Sequence, residues 1–239
     1  MSKVSIIIPF YNCPFIDQAI KSALDQTYHN VEIIVVNDGS TKFIEKINPF
    51  QNQIRYFEKQ NGGTASALNL GIKKATGDYF AWLSSDDIFD KNKVSTQLGF
   101  MKENNAYISY TNYSLINTHN QLTVKMAGKS FKDKIDLLTN LRSENHINGC
   151  TVMMKRQVFS SIGFFNEKLK CTQDYDFWLR AVQNYELYYL HEPLVKYRVH
   201  DQMGTRRFTD LLLKEVRFLQ QKYNHKLIQL INQERKGQI

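Results

Sequence analysis

Asp86 and Asp87 stand together just beyond an apolar run, Tyr79 to Leu83, with Ser84-Ser85 between. Adjacent carboxylates in such a place can hold a hard divalent cation, because magnesium and manganese take oxygen ligands and are often bound by one or two carboxylates plus the phosphates of a substrate. The same pair can instead cap the turn before Ile88. Asp38, in Asn37-Asp38-Gly39-Ser40, follows another apolar run; it is good turn chemistry, or a carboxylate that accepts hydrogen bonds from a nucleobase edge. Tyr11, two residues past Pro9, is either a core aromatic or a ring face for a base. Gly62-Gly63 opens a helical segment, where backbone N–H groups cradle phosphate or simply turn the chain. Asp174, in Gln173-Asp174-Tyr175-Asp176, is placed to cap a helix or to act as a general base. His200, in Tyr197-Arg198-Val199-His200, is a metal ligand or a surface histidine.

These residues need elements to place them, and the apolar patterning supplies them. Val4 to Ile8 and Val31 to Val36 are β-branched runs that predict buried strands. Between them Ile16, Ala19, Ile20, Ala23 and Leu24 make the stripe of an amphipathic helix. Strand, helix and strand form a βαβ unit, which predicts parallel pairing. A third strand is expected at Ile54 to Phe57, a helix carrying Ala65, Leu68, Ile72 and Ala75, and a fourth strand at Tyr79 to Leu83. Tyr11, Asp38 and Asp86-Asp87 then all follow strand ends on one α/β sheet, where ligands of such sheets bind. Beyond Asp87 the pattern predicts a helix from Lys93 to Asn104, strands at Tyr107 to Tyr110 and Gly149 to Met154, a helix from Asp174 to Val182 and an extended segment from Leu187 to Arg198. The stretch from about Asn112 to His146 reads as irregular.

Composition narrows the class. The chain has 239 residues with a formal net charge of +8, a size for one α/β domain with an appendage. Between Arg206 and Ile239 stand eight basic and three acidic residues, so most of the surplus belongs to a C-terminal tail. The nearly balanced body calls for no nucleic-acid partner. The tail's Leu212, Val216, Leu219, Tyr223, Leu227, Leu230 and Ile231 predict one or two amphipathic helices, packed on the domain or on a second copy, or lying on an anionic membrane surface. No apolar run approaches the ~18 residues of a spanning helix. Cys13, Cys150 and Cys171 show neither zinc-ligand spacing nor a disulfide framework and fit a reducing cytoplasm. Gly128-Lys129-Ser130 is not a phosphate-binding P-loop, because Thr123 stands where that motif needs glycine. Asn112-Tyr113-Ser114 matches a glycosylation sequon by chance.

Over roughly Lys3 to Gln202 the chain resembles the family-2 glycosyltransferases of the GT-A fold. The resemblance is carried, in order, by Val4-Ser5-Ile6-Ile7-Ile8-Pro9-Phe10-Tyr11-Asn12, Val35-Val36-Asn37-Asp38-Gly39-Ser40, Asn61-Gly62-Gly63 with Asn69-Leu70-Gly71-Ile72, and Gly77-Asp78-Tyr79. It continues through Ser85-Asp86-Asp87, Gly163-Phe164-Phe165-Asn166, Gln173-Asp174-Tyr175-Asp176 and Tyr197-Arg198-Val199-His200. It implies an α/β GT-A domain, over residues 1–204, to which the apolar spacing of the tail adds a helical extension over 205–239. It also implies transfer of a sugar, with inversion, from a nucleotide-sugar donor, usually a UDP-sugar, to a glycan acceptor that is lipid-linked or protein-linked.

On that resemblance Pro9, Tyr11, Asp38, Gly63, Asp86 and Asp87 bind the donor: Tyr11 packs on the base, Asp38 bonds its edge, Asp86 contacts ribose and Asp87 holds the Mn2+ or Mg2+ that bridges the diphosphate. His200 becomes a further metal or diphosphate ligand and Asp174 the catalytic base. Three positions depart from the family pattern: Gln173 replaces the usual Glu before the base, Leu68 stands where many members carry Arg, and Ser84 where many carry a further Asp. A nucleotidyltransferase that assembles the nucleotide-sugar, and a degenerate relative that only binds, are the alternative readings.

Overall fold

In the computed structural model, which describes residues 1–237, the two β-branched runs lie side by side. Strand β1 (Val4–Phe10) pairs in parallel with β2 (Val31–Asn37), Val4 opposite Val31. Helix α1 (Ile16–Leu24) makes the crossover, burying Ile16, Ala19, Ile20 and Ala23. After a 3-10 segment, Ile44–Phe50, β3 (Arg55–Glu58) adds in parallel to the far side of β2. Helix α2 (Thr64–Lys74) then returns the chain to β4 (Tyr79–Trp82), which is parallel to β1 on its other side. Ile6, Ile7 and Ile8 of β1 are fully buried between these layers, as is Leu68 of α2.

The second half extends the same sheet with mixed direction. It adds β5 (Ile88–Phe89), α3 (Lys93–Glu103), β6 (Ile108–Ile116), β7 (Leu122–Val124), α4 (Lys134–Leu141), β8 (Met153–Lys155), α5 (Gln157–Ile162), α6 (Gln173–Ala181) and β9 (Leu187–Arg198). The strand order is β3-β2-β1-β4-β8-β6-β9-β5, with β7 paired to β6. β8 joins β4 and β6 in antiparallel fashion, while β6 and β9 are parallel.

Two expectations are corrected here. The strand expected at Tyr107 to Tyr110 runs on to Ile116, and the supposedly irregular stretch after it holds β7 and α4. Its polar residues hid the strand: Thr111, Asn112 and Ser114 are buried in the β6–β9 region, where Asn112 bonds the Tyr189 hydroxyl at 2.8 Å. The strand expected from Gly149 begins instead as a 3-10 turn, Gly149–Thr151, because the Asn148 side chain accepts from the Cys150 N–H and holds the turn.

The chain ends in α7 (Gly204–Arg207) and α8 (Thr209–Gly237), a single long helix. Its buried residues, Glu215, Leu219, Tyr223, Leu227 and Ile231, recur every fourth position, the ridge on which helices pack. Lys134 of α4 pairs with Glu234, and Arg142 Nε donates to Asn224 Oδ1 at 3.0 Å. The basic tail is therefore fastened along its length to the body. Of the tail expected over 205–239, residues 238 and 239 lie outside the described residues. None of the described helices is long and apolar enough to cross a membrane.

Candidate active site

Three parallel strands end at one edge of the sheet, and the first chemistry-bearing residues stand there. Pro9 lies in β1 opposite Val36. Tyr11 follows β1 with 51% of its surface exposed, a ring open to a ligand. Asn12, in the left-handed region at φ 48, turns the chain behind it. The Asn12 N–H donates to Ser40 Oγ at 3.0 Å and its side chain accepts from Thr41 and Lys42, stitching the ends of β1 and β2 together.

Asp38 is buried at the end of β2 and already has a full set of donors. Lys59 Nζ lies 2.7 Å from Oδ1, and the N–H groups of Gly62 and Gly63 reach the carboxylate at 3.0 and 2.7 Å. Asp38 thus fixes the loop that opens α2. Gly63 adopts φ 88 at the helix N-cap, a backbone conformation that side chains resist. A base edge that engages Asp38 shares it with, or displaces, these donors.

The strand register explains the next cluster. β5 pairs in antiparallel fashion with β9, Ile88 opposite Lys196, so the end of β9 runs back past Asp86-Asp87. The Arg198 N–H donates to Asp87 Oδ1 at 2.9 Å, and His200 Nε2 lies 2.9 Å from Asp86 Oδ2. Asp87 is only 1% exposed. Its other oxygen, Oδ2, is buried without a hydrogen-bond partner. The Cys150 thiol donates to Ser84 Oγ at 3.1 Å and lies close enough to Asp87 to interact with its carboxyl as well. Burial, and then the charge of Asp86, push the Asp87 carboxyl well above its usual range, against the pull of the Arg198 N–H. An orphaned, charge-stressed carboxylate oxygen is the donor that a hard cation satisfies, so Asp87, with Asp86 and His200 beside it, fits a divalent metal. Among the described residues no group of three or more His, Cys, Asp or Glu converges to hold a metal. A cation here needs oxygens from the substrate, in keeping with magnesium sites that use one or two carboxylates and phosphates.

Asp174 stands apart, in the first turn of α6. Asn145 Nδ2 donates to its Oδ2 at 2.9 Å and the Tyr175 N–H to its Oδ1 at 2.8 Å. Burial raises its carboxyl to about 6 despite those two donors. Gln173, one residue before, is buried with its Oε1 unpartnered. Residues 145–151 join the two centres: Asn145 holds Asp174, Ile147 O accepts from the Trp178 indole at 3.2 Å, and Cys150 Sγ accepts from the Ser84 N–H at 3.2 Å. Gly149 lies so close to Trp82 that an added Cβ would come within 2.3 Å of the ring.

Arg198 is the residue that motif reading missed. It is fully buried; Nε donates to Asp86 O at 2.8 Å, Nη1 to Asn120 Oδ1 at 2.6 Å and Nη2 to Gln18 Oε1 at 2.8 Å, with the guanidinium 4.2 Å from the Phe15 ring centre. The available signal was its place two residues before His200 on an extended segment, which sets both on one side. Lys59 and Asn145 carry no such signal, since each reaches its carboxylate from a loop.

Comparison with known proteins identifies the family and the fold. The sequence profile described as glycosyl transferase family 2 matches residues 5–163. An uncharacterized glycosyltransferase of Rickettsia typhi is 44% identical over 208 residues, 84% of this chain and 65% of its own length. One of Rickettsia prowazekii is 43% identical, with 82% of this chain and 64% of its own length covered. The chain thus spans just under two thirds of these relatives. The putative teichuronic acid biosynthesis glycosyltransferase TuaG of Bacillus subtilis is 31% identical over 82% of this chain and 79% of its own. Among solved structures, S. aureus TarS 1-349 in complex with UDP superposes with a TM-score of 0.69 at 20% identity, over 91% of this chain and 64% of that one. A fold with three parallel strand ends carrying Tyr11, Asp38 and Asp86-Asp87 is thereby the GT-A fold with a helical C-terminal extension, and the chain belongs to glycosyl transferase family 2.

Proposed function

We propose that the chain transfers a sugar from a UDP-sugar to a hydroxyl of a glycan acceptor, with inversion at the anomeric carbon. The observation that carries this reading is the pairing of two carboxylate centres through residues 145–151: one with the orphaned oxygen of Asp87, the other a half-buried Asp174 whose carboxyl is raised to about 6. In a single displacement the acceptor oxygen bonds the anomeric carbon, the bond from that carbon to the diphosphate breaks, and its electron pair leaves with the nucleoside diphosphate. The acceptor proton passes to Asp174. A carboxylate with a raised pKa is a better general base near neutral pH than an ordinary one. Tyr11 offers its face to the base, Asp38 its edge, and Asp86 the ribose, with Pro9 and Gly63 shaping the walls. Asp87 and His200 would hold Mn2+ or Mg2+, which when bound offsets the charge growing on the leaving diphosphate.

TarS crystallised with UDP and with UDP-GlcNAc supports a uridine donor, and TuaG supports a surface polysaccharide as acceptor. Residues 1–204 act as the catalytic unit and 205–239 as its helical extension, working in the cytoplasm. Phe208, Leu213 and Phe218 are exposed on the extension near Arg206, Arg207, Lys214 and Arg217, a composition suited to the anionic face of a membrane carrying a lipid-linked acceptor. A thermal-shift screen of nucleotide-sugars with manganese, followed by mass spectrometry of the products, tests the reading. Selective stabilisation by a UDP-sugar and release of UDP are expected; release of pyrophosphate from a nucleoside triphosphate would make the protein a nucleotidyltransferase instead.

A further inference from the structure

We infer that Glu215, on the C-terminal helix, is a positioning residue for Asp174. The inference rests on the reading of Asp174 as the base. Glu215 is 92% removed from solvent, at 8% exposure, and its carboxylate faces the loop that leads into α6. Its four hydrogen bonds all come from residues 170–172: the Lys170 N–H to Oε1 at 2.9 Å, the Cys171 N–H to Oε2 at 2.9 Å, the Thr172 N–H at 3.0 Å and the Thr172 hydroxyl at 2.9 Å. Burying a carboxylate is costly unless its oxygens are fully bonded, and backbone N–H groups of a buried loop need acceptors. Each side meets the need of the other, so the loop keeps one shape while Glu215 is in place.

The position of Thr172 makes this matter for the base. Thr172 is the N-cap residue of α6, yet its side chain makes no cap bond to the helix, because its hydroxyl is given to Glu215. The first-turn N–H of Tyr175 is left to Asp174, which accepts it at 2.8 Å. That bond and the one from Asn145 orient the carboxylate. Freed from Glu215, the Thr172 hydroxyl becomes an ordinary capping acceptor for the same first-turn N–H groups and competes with Asp174. Two turns further along α8, the Tyr223 hydroxyl donates to Asp176 Oδ1 at 2.8 Å, gripping α6 on the other side of Asp174. The helix that looked like an attachment is the support of the base.

The test uses the full chain and compares Glu215→Gln, Thr172→Val and, as a control for loosened packing, Leu227→Ala, which weakens the same helix without touching the loop. The first readout needs no substrate: the Asp174 carboxyl is titrated by carbon-13 NMR, its signal assigned by its absence in Asp174→Asn. Glu215→Gln is expected to free the Thr172 hydroxyl to compete for the Tyr175 N–H and so raise the midpoint by roughly one unit, while Thr172→Val, which has no hydroxyl to compete, and Leu227→Ala leave it nearly in place. An unchanged midpoint in a folded Glu215→Gln overturns the inference. Should that variant not fold, Glu215→Asp, whose shorter side chain releases the same hydroxyl, takes its place under the same rule, and an equal rise in Thr172→Val or Leu227→Ala overturns the inference as well. The second readout is UDP release from UDP-GlcNAc, expected to fall roughly 100-fold in Glu215→Gln while the affinity for UDP with manganese stays within about twofold. Full UDP release by Asp174→Asn would remove the base assignment alone, because the titration reports the Glu215 effect independently.

Discussion

His200 and Asp86, 114 positions apart in sequence, meet with Nε2 2.9 Å from Oδ2. The same strand end ties the neighbouring Asp87 through the Arg198 N–H, so β9 engages both acidic residues at once. Replacing His200 by Ala keeps the Arg198 bond and removes the proposed metal ligand. The expected result is a loss of roughly 10–100-fold in UDP affinity with manganese present, the range seen when groups supporting a metal are removed. Calorimetry without metal should show little change. An equal loss in both conditions would argue that His200 serves the nucleotide and not the cation.

Asp87 is buried, and burial and the charge of Asp86 push its carboxyl well above the usual range, so its charged form costs stability in the absence of a cation. Asp87→Asn keeps an acceptor for Arg198 and removes the carboxyl whose ionisation burial opposes. The protein without metal should then melt higher, by about 2–4 °C for each kcal/mol relieved in a chain of this size, while manganese-dependent UDP binding disappears. A lower melting temperature would mean that the carboxylate is needed by the fold.

Asp174 must be ionised to take a proton. With its carboxyl raised to about 6, the basic form is lost as pH falls through that value, so kcat/KM should decline below about pH 6 and level off above it. Asp174→Asn should reduce turnover by about 10²–10⁴-fold and leave nucleotide-sugar affinity nearly intact. Affinity lost in step with turnover would count against the assignment.

Glu32 offers a test of stability away from the chemistry. Burial raises its carboxyl, but bonds from Ser5, the Thr76 N–H, Arg55 and the Thr76 hydroxyl outweigh that and hold it at about 2, below the ordinary 4.5. A depressed carboxyl adds stability that is complete above pH 4.5 and is lost as pH falls through about 2. Glu32→Gln should cost about 1.5–3 kcal/mol at pH 7, and the difference from wild type should shrink steadily in denaturant melts taken between pH 4.5 and pH 2.

Removing residues 208–237 would strip Leu219, Tyr223, Leu227 and Ile231 from the core and leave the N–H groups of 170–172 without Glu215. Gel filtration and circular dichroism should show an aggregated or partly unfolded chain. A soluble, fully folded truncation would mean that the helix is dispensable to the body.

The first four strands were legible because β-branched residues mark buried parallel strands and Pro9, Gly39 and Gly77 punctuate them. The carboxylates were legible for a related reason: Asp38 and Asp86-Asp87 stand where those strands run out. What stayed hidden depends on long-range partners. Thr111, Asn112 and Ser114 read as loop residues until β9 supplies their neighbours, and the two-residue β5 has too few residues to show a period. Glu215 looked like one charge on a solvated helix, since nothing local announces that its partners lie at 170–172. Arg198 was overlooked because a buried guanidinium depends on acceptors from Gln18, Asp86, Asn117 and Asn120, scattered over the chain.

The fourfold spacing along α8 also sets a rotational phase. An α-helix has about 3.6 residues per turn, so each step of four carries the buried line about 40° further round, and Glu215 and Ile231 face directions about 160° apart. The helix is wedged between different surfaces at its two ends, with the 170–172 loop at Glu215 and Lys134 of α4 at Glu234. One residue inserted after Tyr223 would swing Leu227, Ile231 and Glu234 by about 100°, and they could regain their places only by twisting Glu215 off its loop. A change in the length of this helix is therefore transmitted to its other end as torsion.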